Sequence, residues 1–485
     1  MTAGRPASSV PAASRAAAPA PPAAPPAPTR AAELVEGLVA HLGPAKVATD
    51  QATITVQSRD QSPHREGIEA VAVVFAECVE DVQSTVRACA AAKVPVVARG
   101  AGSGLSGGAA AVPGCVVLNL ERMDRIVEIR PEDEVAVVEP GVVNADLNAA
   151  AAPYGLMYAP DPASYTFATI GGNIATNAGG LRCAKYGVTR ESVLGLDVVL
   201  ADGTLVRTGR STFKGVAGYD LTGLMVGSEG TLGIVVGATV RLRYLPVDVQ
   251  TIAAFYPDFP SAAAGVLAVG RARVQPSIME LMDAGSIADV DSLQGSDLAS
   301  RGSALLLVQT DGYGAAAEAE VVRAVLAESG AVVSAEDPEE AERLVFLRRT
   351  SRGIGADDAF RVGEDVAVPR SRLVEYAREV ERIAAAQGVN LKIVAHAGDG
   401  NLHPSFWVDP AAPGAEEAVA RLDAALDESI EVALTMGGTI TGEHGIGSFK
   451  LRWLPLEQSA RVRALQQGIK DAFDPAGILN PGKAF

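Results

Sequence analysis

The sequence predicts an α+β protein with at least two domains, and three observations support this prediction. The chain has 485 residues, more than one hydrophobic core usually organises. Helix-like and strand-like patterns alternate from Ala31 onward, and after about Leu245 the two kinds of stretch alternate regularly. The 50 glycines exceed ordinary usage without a G-X-Y period, so we expect the excess at specific backbone positions.

Composition and charge exclude several classes of protein. With 48% hydrophobic and 20% charged residues, the chain is expected to fold over most of its length. A net charge of −17 argues against nucleic acid or an anionic membrane as a partner of the whole surface, although local basic sites stay open. No uninterrupted apolar run is long enough to predict a transmembrane helix. The 4 cysteines lack metal-binding spacing and are too few for a disulfide scaffold, which favours a reducing cytoplasm.

The first element is an alanine- and proline-rich tail over residues 1–30, which contains no acidic residue and no lysine. Such a segment cannot bury a core, so it is predicted to be disordered. It lacks the apolar stretch of a signal peptide. Arg5, Arg15 and Arg30 weakly suggest a transit peptide, whereas the prolines oppose the amphipathic helix that one requires.

Residues 31–245 form the first predicted domain. Helices are predicted at about 31–43 and 80–92, and strands at Val94–Ala98, Cys115–Leu120 and Glu134–Val138.

Residues 246–450 form a second predicted domain, an antiparallel sheet covered by helices. Its predicted strands are Thr251–Tyr256, Ile278–Met282, Ala304–Thr310, Ala331–Ala335, Leu391–Ala395 and Ser405–Val408, with helices at 315–328, 371–387 and 415–435. In the last segment, residues 451–485, we predict one helix over Leu456–Phe473, ended by Asp474, Pro475 and Gly477.

A dense glycine run, Arg99–Gly108, directly follows the predicted strand Val94–Ala98. Its backbone amides can form an anion-binding nest. Part of the run fits G-x-G-x-x-G, but a Rossmann site needs a helix next, and Pro113 and Gly114 would stop that helix within two turns. The Rossmann interpretation therefore fails, while an ordinary flexible turn stays open as the alternative.

Two further glycine-rich segments, Thr169–Gly180 and Gly227–Val235, lie in the same predicted domain. Three such loops indicate a long ligand lined by backbone, such as a dinucleotide that runs through the domain.

These three loops resemble the FAD-binding domain of the vanillyl-alcohol oxidase and p-cresol methylhydroxylase superfamily. The resemblance runs from about Gln61 to the C-terminal segment Phe473–Lys483. More narrowly, the chain resembles the branch that contains the FAD subunit of glycolate oxidase, FAD-linked D-lactate dehydrogenases and D-2-hydroxyglutarate dehydrogenases. The resemblance implies a two-lobed FAD-binding domain, an antiparallel ferredoxin-like cap, and a C-terminal segment that returns to the FAD domain.

The resemblance also implies which residues bind FAD. The first loop would hold the pyrophosphate, the second would follow the pyrophosphate and isoalloxazine, and the third would lie near the adenosine. The expected set is Arg99, Gly100, Ala101, Gly102, Ser103, Gly104, Leu105, Ser106, Pro160, Asp161, Ser164, Gly171, Gly172, Asn173, Thr176, Gly179, Gly180, Glu229, Gly230, Gly233, Ile234 and Asn480. Binding is expected to be non-covalent, because residues 94–114 contain no histidine and nothing favours a tether at Cys183.

Three histidines fall close together in the second half of the chain. His396 and His403 enclose a glycine-containing turn, and Glu443 and His444 occupy a later loop flanked by glycines. Two histidines and a carboxylate are the usual ligand set of a catalytic divalent metal with one open position. Polar loop residues without a metal are the alternative.

Metal-dependent members of the resembling branch carry the same HxGDGNxH and GEHG motifs. The resemblance implies that His396, His403 and Glu443 hold a zinc, iron or manganese ion, and that His444 is the catalytic base. Asn401 is expected around the ligands and not among them. The identity of the ion stays open, because these ligands accept several metals.

A 2-hydroxy acid, the substrate that the resemblance implies, needs a cation for its carboxylate. Arg348 and Arg349 lie on the helix-like stretch Pro338–Gly353, and alignment with the family favours Arg349; a surface position is the alternative. The next cationic residues before Pro369 are Arg352 and Arg361, so a partner for a second substrate carboxylate is less obvious. This favours a monocarboxylate as the substrate.

The expected reaction is therefore FAD-dependent oxidation of a D-lactate-like or glycolate-like D-2-hydroxy acid to the 2-oxo acid. The hydride would pass to flavin N5 while His444 takes the hydroxyl proton. Two alternatives stay open: a metallohydrolase with a His2Glu site, and a non-catalytic flavoprotein subunit of an electron-transfer complex. The intact histidine motifs count against the non-catalytic subunit.

The electron acceptor cannot be read from the sequence. Oxygen, a quinone, a cytochrome and an electron-transfer flavoprotein stay open, as does an iron–sulfur subunit, since the chain carries no cluster-binding cysteines. We expect no nucleic-acid partner and a cytoplasmic location, with peripheral attachment to a membrane left open.

Overall fold

The computed structural model describes residues 28–63, 67–335, 337–350, 360–409 and 415–485. Most of the predicted N-terminal tail lies outside these residues, and the first helix begins at Pro28, slightly earlier than predicted.

The elements before residue 246 build two sheets and a small ribbon. The strands are β1 (Val47–Ala48), β2 (Ala72–Phe75), β3 (Val96–Arg99), β4 (Val116–Asn119), β5 (Ile126–Arg130), β6 (Val135–Val138), β7 (Leu156–Met157), β8 (Val193–Val199), β9 (Leu205–Gly209), β10 (Ile234–Arg241) and β11 (Arg243–Tyr244). The helices are α1 (Pro28–Leu42), α2 (Gln51–Gln57), α3 (Val79–Ala92), α4 (Asn144–Ala151), α5 (Ile170–Thr176), α6 (Cys183–Tyr186), α7 (Thr189–Ser192) and α8 (Leu221–Met225), with 3₁₀ turns at Pro131–Asp133 and Ala152–Tyr154.

The first sheet has the order β1-β2-β4-β3, with β2 and β3 parallel to β4. Its strands are runs of valine, alanine and leucine that are buried on both faces, which is typical of parallel strands covered on two sides. The second sheet, β5-β6-β10-β8-β9, is antiparallel, and β10 alternates between buried and half-buried residues along its length. Strands β7 and β11 form the separate ribbon.

The elements after residue 245 build one large antiparallel sheet with the order β15-β12-β14-β13-β18-β19-β16, and β17 also pairs with β19. The strands are β12 (Val249–Tyr256), β13 (Ile278–Met282), β14 (Ala304–Asp311), β15 (Val332–Ala335), β16 (Phe360–Gly363), β17 (Val366–Ala367), β18 (Asn390–His396) and β19 (Asn401–Val408). The helices are α9 (Phe259–Arg271), α10 (Ala284–Gln294), α11 (Ala315–Glu328), α12 (Pro338–Thr350), α13 (Leu373–Gln387) and α14 (Ala415–Thr435), with a 3₁₀ turn at Arg370–Arg372.

Successive side chains of β18 and β19 point alternately to the two faces of the sheet, one facing the core and the other carrying the histidines. Ile393 and Ala395 point into the core that the sheet shares with α9, α11, α13 and α14. Val394 and His396 therefore lie on the opposite face, as does His403, the residue paired with Val394. Helix α13 covers the core with an apolar stripe at three- and four-residue spacing and ends at Gly388, which adopts a φ of +62°.

The C-terminal segment returns to the first sheet. Leu479 forms a parallel bridge with Val96, and the Asn480 amide donates to the Val96 carbonyl at 2.8 Å. The buried Lys470 ammonium donates to Asp474, the Thr231 carbonyl and the Leu479 carbonyl. The segment is thereby fixed against the third glycine loop.

The α+β class is confirmed, and several details differ from the sequence prediction. The single helix predicted over Leu456–Phe473 is wrong: the chain forms α15 (Leu454–Glu457) and α16 (Ala460–Phe473), because Ser459 caps the second helix through its hydroxyl. Strands β16 and β17 and helix α5 were not predicted. Among the described residues, no helix combines the length and hydropathy that crossing a bilayer requires.

Candidate active site

A cavity of about 680 Å³ lies between the three glycine loops and the histidine-bearing face of the cap sheet. Most of the residues predicted to bind FAD line its wall: Arg99, Gly100, Ala101, Gly102, Ser103, Gly104, Leu105, Ser106, Ser164, Gly171, Gly172, Asn173, Thr176, Gly179, Glu229, Gly230, Gly233 and Ile234. Arg349, His403, Glu443 and His444 line the same cavity. Two predicted sites, one for a dinucleotide and one for a metal, therefore share one space.

The remaining predicted residues lie behind this wall. His396 is buried next to the other histidines. The Asn480 side chain donates to the carbonyls of Gly108 and Glu229 and so joins the first and third loops. Pro160 accepts a hydrogen bond from Asn144, and Gly180 lies against the backbone of Asp161. Pro160, Asp161, Gly180 and Asn480 thus make contacts that support the loops, and the FAD-binding role of these four residues, like that of the residues lining the cavity, stays a prediction. Cys183 is buried and does not line the cavity.

Close approach explains two of the glycines. A Cβ on Gly100 would collide with the hydroxyl of Thr169, so glycine lets the first loop touch the second. A Cβ on Gly179 would lie 3.1 Å from the Cβ of Glu443, so glycine lets the second loop touch the histidine cluster. Both positions fix how close the dinucleotide loops come to their neighbours.

Arg349 joins the cap to the segment that directly precedes the second glycine loop. Its guanidinium lies 2.5 Å from the buried Asp161 carboxylate and donates to the Asp161 carbonyl at 3.3 Å. It also lies over the ring of Tyr165, 4.9 Å from the centroid. Asp161, predicted to bind FAD, is thus a partner of the arginine predicted to bind substrate.

Glu443 is the centre of the histidine cluster. Its Oε1 lies 3.2 Å from His396 Nε2, 3.3 Å from His403 Nε2 and 3.6 Å from His444 Nε2. The rings of His403 and His444 are stacked, with centroids 5.0 Å apart, and His396 stands edge-on to His403. The candidate ligand atoms of His396, His403 and Glu443 lie within 4.8 Å of one another. The structure therefore brings together the three residues that the motifs singled out.

Glu280 on β13 orients His396. Its carboxylate oxygens lie 2.8 and 3.0 Å from His396 Nδ1, which leaves Nε2 directed at Glu443. A carboxylate on the outer nitrogen is the usual support of a metal-binding histidine. Arg348 Nη2 lies 2.6 Å from Glu280, and both side chains are 1% exposed. Arg348 is thus a buried partner of this carboxylate, whereas Arg349 faces the cavity.

Asp365 holds the loop that carries Glu443 and His444. It accepts backbone hydrogen bonds from Gly442 at 3.0 Å, Glu443 at 3.1 Å and His444 at 2.8 Å. Asn401 Nδ2 donates to Asp365 at 2.8 Å, so Asn401 contacts the residue that holds this loop, and its place around a metal stays a prediction.

The electrostatic environment of the cluster is strongly negative. Burial lowers the pKa of His396, but the charges of Glu280 and Glu443 outweigh it and raise that pKa to about 10. Burial raises the pKa of the neighbouring Asp399 to about 6. Against the effect of burial, His444, Lys450 and His403 hold the pKa of Asp365 well below its usual range. Neighbouring carboxylates thus raise the pKa of His396, burial raises that of Asp399, and neighbouring cationic groups lower that of Asp365.

The donor set fits a divalent cation. Four carboxylates, those of Glu280, Asp365, Asp399 and Glu443, surround the histidines. Arg348 pairs with Glu280, and Lys450 pairs with Asp365. A cation held between His396, His403 and Glu443, whose candidate ligand atoms converge, would compensate buried carboxylate charge. Two imidazoles and a carboxylate are a usual ligand set of a divalent metal ion, so these residues suit one.

Glu229 connects the cofactor loop to the loop of the histidine cluster. Its buried carboxylate accepts backbone hydrogen bonds from Ile446 at 2.7 Å and Gly447 at 2.8 Å. Burial raises the pKa of Glu229, although these two amides act in the opposite direction. A residue predicted to bind FAD thus also positions the segment that follows His444.

Sequence reasoning missed Glu280, Asp365 and the role of Arg348. Glu280 gave a signal, because it is the single charged residue in the apolar strand Ile278–Met282. Asp365 gave no sequence signal, because the backbone amides that donate hydrogen bonds to it lie 77 to 79 residues later in the chain.

A cavity lined by three glycine-rich loops, with a histidine and carboxylate cluster on its cap side, suits an enzyme that binds a dinucleotide cofactor. The chain matches the family "FAD binding domain" over residues 70–209 and the family "FAD linked oxidases, C-terminal domain" over residues 245–484. It therefore belongs to the FAD-linked oxidase family and is an enzyme of that family.

Relatives agree with this assignment, and a solved structure shares the fold. The chain is 37% identical over 458 residues to the glycolate oxidase subunit GlcD of Bacillus subtilis, covering 93% of this chain and 97% of the relative. It is 33% identical over 423 residues to the D-lactate dehydrogenase of Anaerostipes hadrus, covering 85% and 88%. The structure of p-cresol methylhydroxylase with bound substrate superposes with a TM-score of 0.78 at 20% identity, covering 95% of this chain and 97% of that chain. The predicted p-cresol methylhydroxylase type of fold is confirmed.

Proposed function

We propose that this enzyme oxidises a D-2-hydroxy acid to the 2-oxo acid with FAD. One observation carries the proposal: three histidines converge on Glu443, and Glu443, His403 and His444 line the same cavity as the FAD loops and Arg349. The names of the relatives, glycolate oxidase subunit and D-lactate dehydrogenase, support the same substrate class.

Arg349 would bind the substrate carboxylate. Its guanidinium carries five N–H donors, and two of its nitrogens donate to Asp161. The donors that remain can form charge-assisted hydrogen bonds to a carboxylate in the cavity. Because Asp161 and the ring of Tyr165 fix the guanidinium plane, the substrate would be oriented before reaction.

His396, His403 and Glu443 would hold a divalent zinc, iron or manganese ion. Such an ion lowers the pKa of a hydroxyl group bound to it, as it does for water.

His444 would accept the proton of the 2-hydroxyl group at Nε2. The imidazole lines the cavity and lies over the ring of His403, and Asp365 Oδ2 is 3.9 Å from its Nδ1. This carboxylate would stabilise the imidazolium that forms. When bound, FAD would supply the hydride acceptor, so that loss of the hydroxyl proton and the C2 hydride would leave the 2-oxo acid.

Anaerobic reduction of the bound flavin tests the function. The purified FAD-loaded enzyme is mixed without oxygen with D-lactate, L-lactate, glycolate and D-2-hydroxyglutarate in turn, and the visible flavin absorbance is followed. We expect at least one achiral or D-acid to bleach the flavin, with L-lactate inert. If none of these acids bleaches it, the substrate class is wrong.

The variant His444→Gln tests the base. It should keep the yellow flavin and lose at least about 100-fold in the rate of flavin reduction, the usual scale of a general base. Retained reduction with bound FAD would contradict the role of His444.

We further infer that electrons leave the reduced flavin for a separate acceptor. The word subunit in the name of the Bacillus subtilis relative supports a partner protein, and an iron–sulfur subunit is one candidate. A quinone, a cytochrome, an electron-transfer flavoprotein and oxygen are the others, and each can be tested with the reduced enzyme. A cytoplasmic location, with or without attachment to a membrane, is part of the same proposal.

A further inference from the structure

The cap side of the cavity contains an ion pair that the proposed reaction does not use. Lys392 on β18 pairs with Asp289 on α10, and both line the cavity. Their side chains are 16% and 23% exposed, so both are largely removed from solvent. Ser405 on β19 lines the cavity beside them.

The strand register places this group next to the histidine cluster. In the ladder of β18 and β19, Val394 pairs with His403 and Lys392 pairs with Ser405. Residues two apart on a strand share a face and lie ~7 Å apart. Ser405 is therefore about one such step from His403, and Lys392 one step from Val394. If C2 of a substrate lies at the histidine cluster, carbons that extend from it along these strands would reach Lys392 and Ser405.

Two glycines leave room for such a chain. Gly363 on β16 pairs with Ser405 and lines the cavity without a side chain. At the first turn of α10, a Cβ on Gly285 would lie 3.0 Å from the Lys392 Cγ, so glycine there accommodates the lysine stem. Among the described residues, Gly285 thus lets the lysine stem lie against α10, and Gly363 adds no side chain beside Ser405.

The chemistry of the group favours hydroxyl groups as ligands. A lysine ammonium has three N–H donors, of which Asp289 occupies one, and the Asp289 carboxylate keeps further acceptor capacity. A hydroxyl group can accept from the lysine and donate to the aspartate at once. A carboxylate would meet the negative Asp289, and an alkyl chain would satisfy neither partner after displacing water.

We propose that Lys392, Asp289 and Ser405 form a distal subsite for 2-hydroxy acids that carry further hydroxyl groups beyond C3, such as aldonic acids. This assignment rests on the proposed function and narrows its substrate class. Lys392 and Asp289 select among acids and take no part in the reaction at C2.

Steady-state kinetics with an artificial electron acceptor test the subsite. The holoenzyme and its Lys392→Met and Asp289→Asn variants are assayed with D-erythronate, D-lactate and D-2-hydroxyglutarate. We expect the wild type to prefer D-erythronate in kcat/KM. Each variant should lose about 10- to 100-fold for D-erythronate and change D-lactate by less than about threefold, because D-lactate has no group that reaches the pair.

Lys46→Met is the matched control, because Lys46 also pairs with an aspartate, Asp81, but outside the cavity. It should change the kcat/KM of none of the three acids, and unchanged melting temperatures of all holoenzymes exclude a folding defect. Equal kcat/KM for D-erythronate in wild type and both variants overturns the subsite, as does a wild-type preference for D-2-hydroxyglutarate or for D-lactate. In those cases the proposed function still stands, whereas an enzyme that oxidises none of the acids overturns both.

Discussion

Arg348 and Arg349 are consecutive residues on α12 with opposite surroundings. The Arg348 side chain is 1% exposed and pairs with Glu280, the carboxylate that orients His396. The Arg349 side chain is 13% exposed, pairs with Asp161 and lines the cavity. Arg348 therefore supports the histidine cluster through Glu280, whereas Arg349 faces the cavity in which we propose that the substrate binds.

Replacing each arginine by methionine should separate these roles. Arg348→Met leaves the Glu280 charge buried with less compensation, so we expect a loss of about 3–5 kcal/mol in the free energy of unfolding. Arg349→Met should cost less stability and raise KM for the hydroxy acid by about 10-fold or more, because a charged hydrogen bond is lost. Chemical denaturation and steady-state kinetics measure both. A raised KM with unchanged stability in Arg348→Met would reverse the two roles.

At this scale, the sequence predicted the residues that stand in short motifs. His396, His403 and Glu443 were predicted as a ligand set, and the structure places them around one point. Asp365 was not predicted, because its hydrogen-bond partners come from a distant loop. A carboxylate that acts through tertiary contacts leaves no spacing to detect.

The C-terminal segment fixes the first glycine loop. The Lys483 ammonium donates to the carbonyl oxygens of Ala110 and Gly108 and is almost fully buried. Burial lowers the pKa of Lys483 to about 8, against the attraction of Cys115, Asp60 and Glu229. The ordinary value of a lysine pKa is about 10.4.

This shift predicts the pH dependence of stability. Between about pH 8 and about pH 10 the unfolded chain keeps a proton on Lys483 that the folded chain has released, so folding stability rises with pH. We expect wild type to gain about 2 kcal/mol relative to Lys483→Met over that range. Denaturation curves at several pH values measure the difference, and Lys214→Met, at an exposed lysine, is the control. A constant difference between wild type and Lys483→Met would contradict a lowered pKa.

Strands were easier to predict than the short elements around the cofactor. The strand Ile278–Met282 was predicted with its observed bounds. A short apolar run bounded by residues that favour turns can be recognised from the local sequence alone. Helix α5 was missed, since its two glycines oppose a helix in isolation. In the folded chain Thr169 caps it and Ile170 and Ile174 are buried, so tertiary packing outweighs propensity.

The FAD-binding domain and the cap are joined around the cavity. Arg349 of the cap pairs with Asp161, and Gly179 lies against Glu443. Tyr186 also donates to Asp311 at the end of β14, at 2.7 Å. Because residues of both domains line the cavity, a ligand that fills it stabilises both domains at once.

FAD should therefore raise the unfolding temperature of the cap as well as that of its own domain. Trp407 lies on β19 and Trp453 packs in the cap core, and these are the 2 tryptophans of the chain, so tryptophan fluorescence reports on the cap. At FAD concentrations about 100-fold above Kd, we expect about 3 kcal/mol of added stability in this signal. Release of the flavin, followed by its own fluorescence, should coincide with the tryptophan transition.

Arg349→Met supplies the control for this coupling, because it removes a contact between the domains and leaves the glycine loops intact. In this variant the midpoint temperatures of the tryptophan transition and of flavin release should differ, and the tryptophan transition should occur at the lower temperature. A tryptophan transition in wild type that FAD does not shift would mean that the cap unfolds independently, and that the contacts around Asp161 and Glu443 do not couple the domains. Coincident transitions that Arg349→Met leaves unchanged would instead assign the coupling to the other contacts around the cavity.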